Sequence, residues 1–391
     1  MIEVEKALEL IHQTAVKNTS VFAAVSSRIC GSVLADDVIA MISLPHFAQS
    51  SMDGYALKSH DSLTYKVVGE MAAGSSKTFH LNPGEAVRIF TGAMVPSSAD
   101  SVVIQEKANR LDQTILLEEA PKQGQNIRPI GSIMNAGDLV FSKGHILNPS
   151  SIGLLQSMGI RSVLIHNKPS VAIVVTGNEL LKPGESFQEG KVFESNSVVL
   201  ESALNQQGIK NCSIYYTQDT LEDTQNSLEE ALKSDLVLIS GGISVGDYDF
   251  VRESLENLGV QEEFYKVNQK PGKPLFFGKK DSKMVFALPG NPASTLNCFY
   301  VYVVPILHKL LGKKSDGLSC IHTTIDSSIS NKFGRALFLK ALVHESQAHI
   351  IDEHNSATLL SFSKANALVF VPSYTTLMEK GTRAKTWLIP N

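Results

Sequence analysis

Apolar positions change spacing several times along the chain, and each change predicts a different element. In residues 2–16, Val4, Ala7, Leu8 and Ile11 share one face of a helix. From about 40 to 145, short β-type runs at 65–68, 86–90, 101–105 and 114–117 are separated by Gly, Pro, Asn and Asp, which predicts an all-β module. Residues 150–158 read as a short helix. After Pro169 strands and helices alternate: strand 171–175, helix 195–207, strand 213–216, helix 221–233, strand 235–239, a Gly-rich turn, helix 248–258, strands 275–277 and 284–288, and a helix from about 293. That alternation predicts a mostly parallel sheet covered by helices. Short β runs return at 337–343, 368–371 and 386–389 and suggest a small C-terminal β-barrel.

Length agrees with several domains, since 391 residues at roughly 150 per domain give two to three. Lys and Arg total 35 against 39 Asp and Glu, a net charge of −4. A general nucleic-acid binder needs a basic face, so that class is disfavoured. The four cysteines are far apart and include no C-x-x-C pair, which argues against a disulfide scaffold or structural zinc and suits a reducing cytoplasm. The acidic N-terminus is no signal peptide. The most apolar stretch, 296–311, contains Asn297, Pro305, His308 and Lys309. It reads as a buried helix, because a membrane span needs ~20 apolar residues.

In open parallel sheets ligands bind beyond the carboxyl ends of the strands. Three segments fall there: 176–179, 240–249 and 288–294. In the second, Gly241 and Gly242 let a ligand approach the backbone, and Ser244, Asp247 and Asp249 follow at once. Carboxylates beside an anion-binding turn suit Mg2+ held partly by phosphate oxygens. The plainer alternative is a tight turn whose Asp residues cap the next helix. Lys266, Lys270 and Lys273 lie within 266–274 and form either a local cationic pocket or a solvated basic turn. Pro289-Gly290-Asn291-Pro292 is a stiff turn opening a helix. Asp53-Gly54 alone looks like a hairpin turn. The chain has no Walker A loop, H-E-x-x-H or G-x-S-x-G elbow.

Taken in order, Ser-Met-Asp-Gly-Tyr-Ala (51–56), Arg-Ile-Phe-Thr-Gly-Ala (88–93), Thr-Gly-Asn-Glu-Leu (176–180), Ser-Gly-Gly-Ile-Ser-Val-Gly-Asp-Tyr-Asp (240–249), Lys-Pro-Gly-Lys-Pro (270–274), Leu-Pro-Gly-Asn-Pro (288–292) and Gly-Arg (334–335) resemble the MoeA family, relatives of gephyrin E domains. The resemblance implies a homodimeric molybdenum insertase of cofactor synthesis that uses adenylylated molybdopterin and molybdate, requires Mg2+ and releases AMP. The implied fold has an elongated domain from 1–43 and 141–168, an inserted β module at 44–140, a molybdopterin-binding α/β domain at 169–314 and a C-terminal β-barrel at 315–391. By motif position it assigns Gly241, Gly242, Ser244 and Asp249 to the nucleotide and its Mg2+, with Asp249 as metal ligand. It makes Glu179 and Asp219 functional acids and puts Lys266 and Lys270 at the pterin phosphate and molybdate end. Lys273, Pro289, Pro292, Arg335 and Ser361 line the same cleft, and Asp53 and Thr91 close it from the partner subunit. Molybdopterin adenylyltransferase is a candidate partner; nucleic acid and membrane are not. One departure stands out: 128–133 carries no acid where the family often has an Asp, and the next is Asp138. The competing readings are a molybdopterin adenylyltransferase, which needs neither the β module nor the barrel, and a non-enzymatic scaffold, which needs none of Asp249, Lys266 and Lys270.

Overall fold

The structure is a computed structural model and describes residues 1–182, 184–243, 250–351 and 359–390. The chain forms two compact units. One comprises Phe22–Cys30 and Asp36–Leu164; the other comprises Met1–Val21, Gly31–Ala35 and Ile165–Asn391. Helix α1 (Val4–Gln13) opens the chain and belongs to the second unit. No helix among the described residues is long and apolar enough to cross a membrane.

The first unit is built on strands β1 (Gly54–Leu57), β2 (Thr64–Met71), β3 (Glu85–Ile89), β4 (Ser101–Ile104), β5 (Ala108–Leu111) and β6 (Thr114–Leu117). Their order is β4-β1-β3-β2-β6-β5, and only β2–β3 is parallel. Alternate residues serve opposite faces: Ala56, Val87 and Val102 join one core, and Tyr55, Leu57 and Val103 another. Helix α2 (Pro149–Ser157) follows its cap Asn148, whose side chain accepts from Ser151 N–H. Gly54 is not part of a hairpin turn. It begins β1 and pairs with Ile89 and Ile104. A Cβ there would lie 1.9 Å from the Val103 carbonyl oxygen, so close strand approach requires the glycine.

The second unit contains β7 (Val171–Thr176), α3 (Asn196–Gln206), β8 (Cys212–Thr217), α4 (Leu221–Ala231), β9 (Leu236–Ser240), α5 (Phe250–Asn257), β10 (Gln261–Tyr265), β11 (Phe276–Lys280), β12 (Lys283–Leu288), α6 (Pro292–Cys298) and α7 (Val304–Leu310). The sheet order is β8-β7-β9-β12-β11-β10. The first four strands are parallel, and β11 and β10 pair antiparallel. Because helices cover both faces, the strands read as continuous apolar runs. Ile173, Val175 and Leu238 pack with α3 and α7, whereas Ala172, Val174 and Val237 pack with α4 and α5. A π-helical turn, Phe299–Val303, joins α6 to α7 inside the buried stretch anticipated at 296–311.

The chain ends in β13 (Cys320–Ile325), β14 (Ala336–His344), β15 (Gln347–Ile350), β16 (Ala367–Val371) and β17 (Arg383–Leu388). They close in the order β14-β15-β13-β17-β16, with β16 pairing back to β14, as a five-stranded barrel. Phe338, Phe370 and Trp387 of the barrel pack into the core shared with the α/β sheet. Val4, Ala7 and Ile11 of α1 enter the same core. Lys309 Nζ donates to the carbonyls of Ile11 (3.3 Å), Thr14 (3.1 Å) and His12, satisfying the end of α1. Asn18 Nδ2 returns the contact to the Lys309 carbonyl at 2.8 Å.

His308 on α7 is 7% exposed. Its Nε2 lies 2.9 Å from Gln207 Oε1 and its Nδ1 2.8 Å from Ser315 Oγ. Burial, helped by Lys313, pulls its pKa down to about 4. The unfolded state therefore takes up a proton near pH 6.5 that the folded state refuses until about pH 4. Stability is full above pH 6.5 and falls between 6.5 and 4. The urea midpoint is expected to drop between pH 7 and 5, and His308→Gln is expected to flatten that slope. An unchanged slope in the variant would clear His308 of the effect.

Candidate functional site

Strand order places the site. The crossover from β7 goes one way to β8, and the next returns across it to β9, so a crevice opens between the carboxyl ends of β7 and β9. A cleft of 540 Å³ lies there, within the range for small-ligand sites. Its lining includes Thr176 at the end of β7 and Gly177 after it, Asp219 after β8, Ser240 at the end of β9 with Gly241 and Gly242 after it, and Pro289 and Gly290 after β12.

The floor is bare backbone for steric reasons. Gly241 and Gly242 have φ of +90° and +61°. A Cβ on Gly241 would stand 2.7 Å from the Thr176 carbonyl oxygen, and one on Gly242 2.6 Å from Val251 Cγ2. Two carboxylates stand at the rim, Glu179 and Asp219. Asp219 Oδ2 accepts from Asn178 N–H at 2.9 Å, and Asn178 Oδ1 accepts from Asp219 N–H at 3.3 Å, so the turns after β7 and β8 hold each other. Across the cleft Asn291 caps α6, with its side chain accepting from Ser294 N–H at 3.1 Å and Pro292 at the first helical position.

The structure distributes the sequence-selected residues unevenly. Glu179, Asp219, Gly241, Gly242 and Pro289 line this cleft. Ser244, Asp247 and Asp249 lie outside the described residues. The lysine segment is divided by its own geometry: Gly272 and Pro274 face the cleft, while Lys270 lines a second cleft of 370 Å³ with Lys332 and Phe333. Gln269–Lys270 adds in parallel to β14, opposite Ala336 and Leu337, which carries Lys270 to the barrel side. Lys266 sits at φ +63°, and its Nζ lies 4.5 Å from the centre of the Tyr265 ring. The Tyr265 hydroxyl donates to the Ile243 carbonyl at 3.1 Å and ties this lysine to the glycine turn. Lys273 is half-buried at the base of the same loop, and Val267 N–H donates to its carbonyl at 3.0 Å. Arg335 is half-buried just before β14, and Pro292 and Ser361 do not line the cleft. Ser361 is 4% exposed on the short helix Leu359–Phe362.

The N-terminus steadies the lysine loop. Ile2 N–H donates to the Lys266 carbonyl at 3.0 Å. Glu3 accepts from Asn268 Nδ2 at 2.9 Å and from Ser373 Oγ at 2.7 Å, joining loop and barrel. Sequence reasoning gave no role to Glu3 or to Asn196, which also lines the cleft. The signal for Asn196 was a polar Glu-Ser-Asn-Ser stretch at the start of the helix that follows β7.

In the other unit, Asp53 Oδ1 accepts from both the N–H and the hydroxyl of Thr91, each at 2.7 Å. Those bonds, with the Arg88 charge, hold its carboxyl below the usual carboxylate range. Both residues are exposed, so the pair forms a pre-ordered anionic corner at the surface. Asp138, the first acid after the acid-free stretch 128–133, accepts from Asn135 N–H through Oδ2 at 2.8 Å and is engaged in its own turn.

Among the described residues no cluster of three or more His, Cys, Asp or Glu could by itself hold a metal ion. The cleft of 540 Å³ carries two carboxylates, Glu179 and Asp219, and Mg2+ needs only one or two when water and substrate oxygens complete its shell.

Comparison with known proteins agrees across the whole length. Residues 2–159 match the family described as MoeA N-terminal region (domain I and II), 172–309 a probable molybdopterin binding domain and 324–389 the MoeA C-terminal region (domain IV). The chain is 32% identical over 358 residues to a molybdopterin molybdenumtransferase of Staphylococcus epidermidis, covering 88% of this chain and 85% of that one. It is 39% identical over 298 residues to the Haemophilus influenzae protein of the same name, covering 74% and 72%. A crystal structure of a molybdopterin biosynthesis MoeA protein from Pyrococcus horikosii superposes with a TM-score of 0.86 over 100% of both chains at 28% identity.

Proposed function

The chain belongs to the MoeA family, and on that footing we propose that it is a molybdenum insertase, taking adenylylated molybdopterin and molybdate and releasing AMP with Mg2+ present. The observation that carries this reading is the cleft at the β7–β9 crossover, where glycine backbone and two carboxylates meet in 540 Å³. The Gly241 N–H is turned to the Leu288 carbonyl at 3.3 Å, so the close backbone approach that the two glycines allow is what suits a phosphate, and the carboxyl ends of a helix-covered parallel sheet suit a nucleotide.

The chemistry brings two anions together. The substrate carries a phosphoanhydride and molybdate is a dianion, so Lys266, Lys273 and Arg335 offset their repulsion, and Lys270, in the second cleft on the barrel side, serves the molybdate end by motif position. Gly241 and Gly242, with Ser244, hold the nucleotide phosphate. Pro289 and Pro292 stiffen the opposite wall, and Ser361 belongs to the molybdate end by motif position. Glu179, Asp219 and Asp249 are the carboxylates that would hold Mg2+, with Asp249 assigned from sequence. Bound there, the ion would polarise the phosphoanhydride. The attacking oxygen comes from water or from molybdate. Active protein is a homodimer in which the Asp53–Thr91 corner of one subunit closes the cleft of the other, and the adenylyltransferase that makes the substrate is its cytoplasmic partner.

AMP release from adenylylated molybdopterin is expected to require molybdate and to fall to background when Mg2+ is chelated. Release that ignores molybdate would defeat the insertase reading. Consumption of ATP would identify an adenylyltransferase, and no turnover at all a scaffold.

A further inference from the structure

Two residues lining the cleft, Thr176 and Asn196, each carry a buried polar atom with no hydrogen-bond partner among the described residues: Thr176 Oγ1 and Asn196 Oδ1. Thr176 is 5% exposed and Asn196 8%. Buried polar atoms are almost always paired, because an unpaired one loses its hydration without compensation. Two in one cleft therefore call for a ligand.

The orientation of Asn196 is determined by its neighbours. Its Nδ2 donates to the Gly290 carbonyl and to Ser240 Oγ, each at 2.7 Å. A carbonyl only accepts, so the reversed amide would set acceptor against acceptor. Oδ1 is the atom left over. Glu194 holds the start of α3 by accepting from Ser197 N–H at 2.9 Å. Thr176 ends β7, which is paired on both sides, and its hydroxyl lies 3.0 and 2.8 Å from where a Cβ on Gly241 or Gly242 would stand. It faces the bare glycine turn.

We propose that Asn196 and Thr176 are positioning residues for the nucleoside part of the substrate. Asn196 Oδ1 cannot meet a phosphate oxygen, since both only accept. It takes a hydrogen bond from a nucleoside donor, either the exocyclic amine of the base or a ribose hydroxyl. Thr176 Oγ1, able to donate and accept, bonds beside it. This rests on the nucleotide reading of the cleft given above.

Thr176→Val is nearly isosteric and deletes an unpaired hydroxyl, so its two effects should have opposite signs. The melting temperature of ligand-free protein should hold or rise, while affinity for AMP by calorimetry should fall about 3- to 10-fold, one neutral hydrogen bond. A merely structural hydroxyl would lower both when removed. On wild-type protein, inosine monophosphate tests the amine, and the 2′- and 3′-deoxy analogues of AMP test the ribose hydroxyls; one of them should lose about as much. A lower melting temperature in the variant overturns the role of Thr176, as does wild-type AMP affinity. Equal binding of AMP and all three analogues overturns that of Asn196. Wild-type protein that does not bind AMP overturns the nucleotide reading itself, and this inference with it.

Discussion

Gly242→Ala is expected to lower molybdate-dependent AMP release by about 100-fold, the scale on which a misplacement of roughly 1 Å acts in an active site. At φ +61° an L-residue is strained, by roughly 1–2 kcal/mol. The new methyl would also stand 2.6 Å from Val251 Cγ2 and 2.8 Å from Thr176 Oγ1. Neither neighbour yields easily, because Val251 is buried on α5 and Thr176 is held in β7. The turn must move, and the cleft floor with it. Gly290→Ala is the control, since its Cβ would meet only Gly241 Cα at an ordinary 3.7 Å. Urea titration should show a loss for Gly242→Ala that Gly290→Ala does not share. Wild-type turnover by Gly242→Ala would remove the glycine turn from the site.

Two inactive variants are expected to restore each other. Asp53→Ala removes the corner that Thr91 holds ready, and Gly242→Ala spoils the cleft. If corner and cleft meet across a two-fold dimer, a mixed dimer puts both lesions in one site and leaves the other intact. Co-expression under different tags, followed by purification of the doubly tagged species, should recover about half of wild-type turnover per dimer, while each parent homodimer stays near zero. A doubly tagged dimer as inactive as its parents would mean that Asp53 serves its own subunit or that the two sites are obligatorily coupled.

Much of the α/β region was legible because strands buried on both faces must be apolar throughout, as 171–175 is. Strand β10 was missed because Gln261, Glu262 and Glu263 at the sheet edge carry no apolar alternation. Strands β13 and β15 were missed for a similar reason, with polar residues such as His322, Gln347 and His349 facing outward from the barrel. The cleft segments at 176–179, 240–242 and 288–294 could be read because the ends of parallel strands gather at one edge. What spacing could not reveal is that Lys270 turns away from Gly272 and Pro274, a division set by pairing with β14, 67 residues downstream. Nor could it reveal the unpaired oxygens of Thr176 and Asn196, which exist only once burial and partners are known.

The partnership of α1 with the far end of the chain has a consequence for biosynthesis. Lys309 lies 295 positions beyond Thr14, and Ser373 lies 370 beyond Glu3. At translation speeds of roughly 5–20 residues per second, the first helix leaves the ribosome on the order of 15–60 s before the lysine that caps it. The unit ending at Leu164 has all its own segments by then and can close while α1 waits. The first helix to be made is thus among the last to be packed. Until then its apolar stripe of Val4, Ala7 and Ile11 is open to chaperones and to other nascent chains.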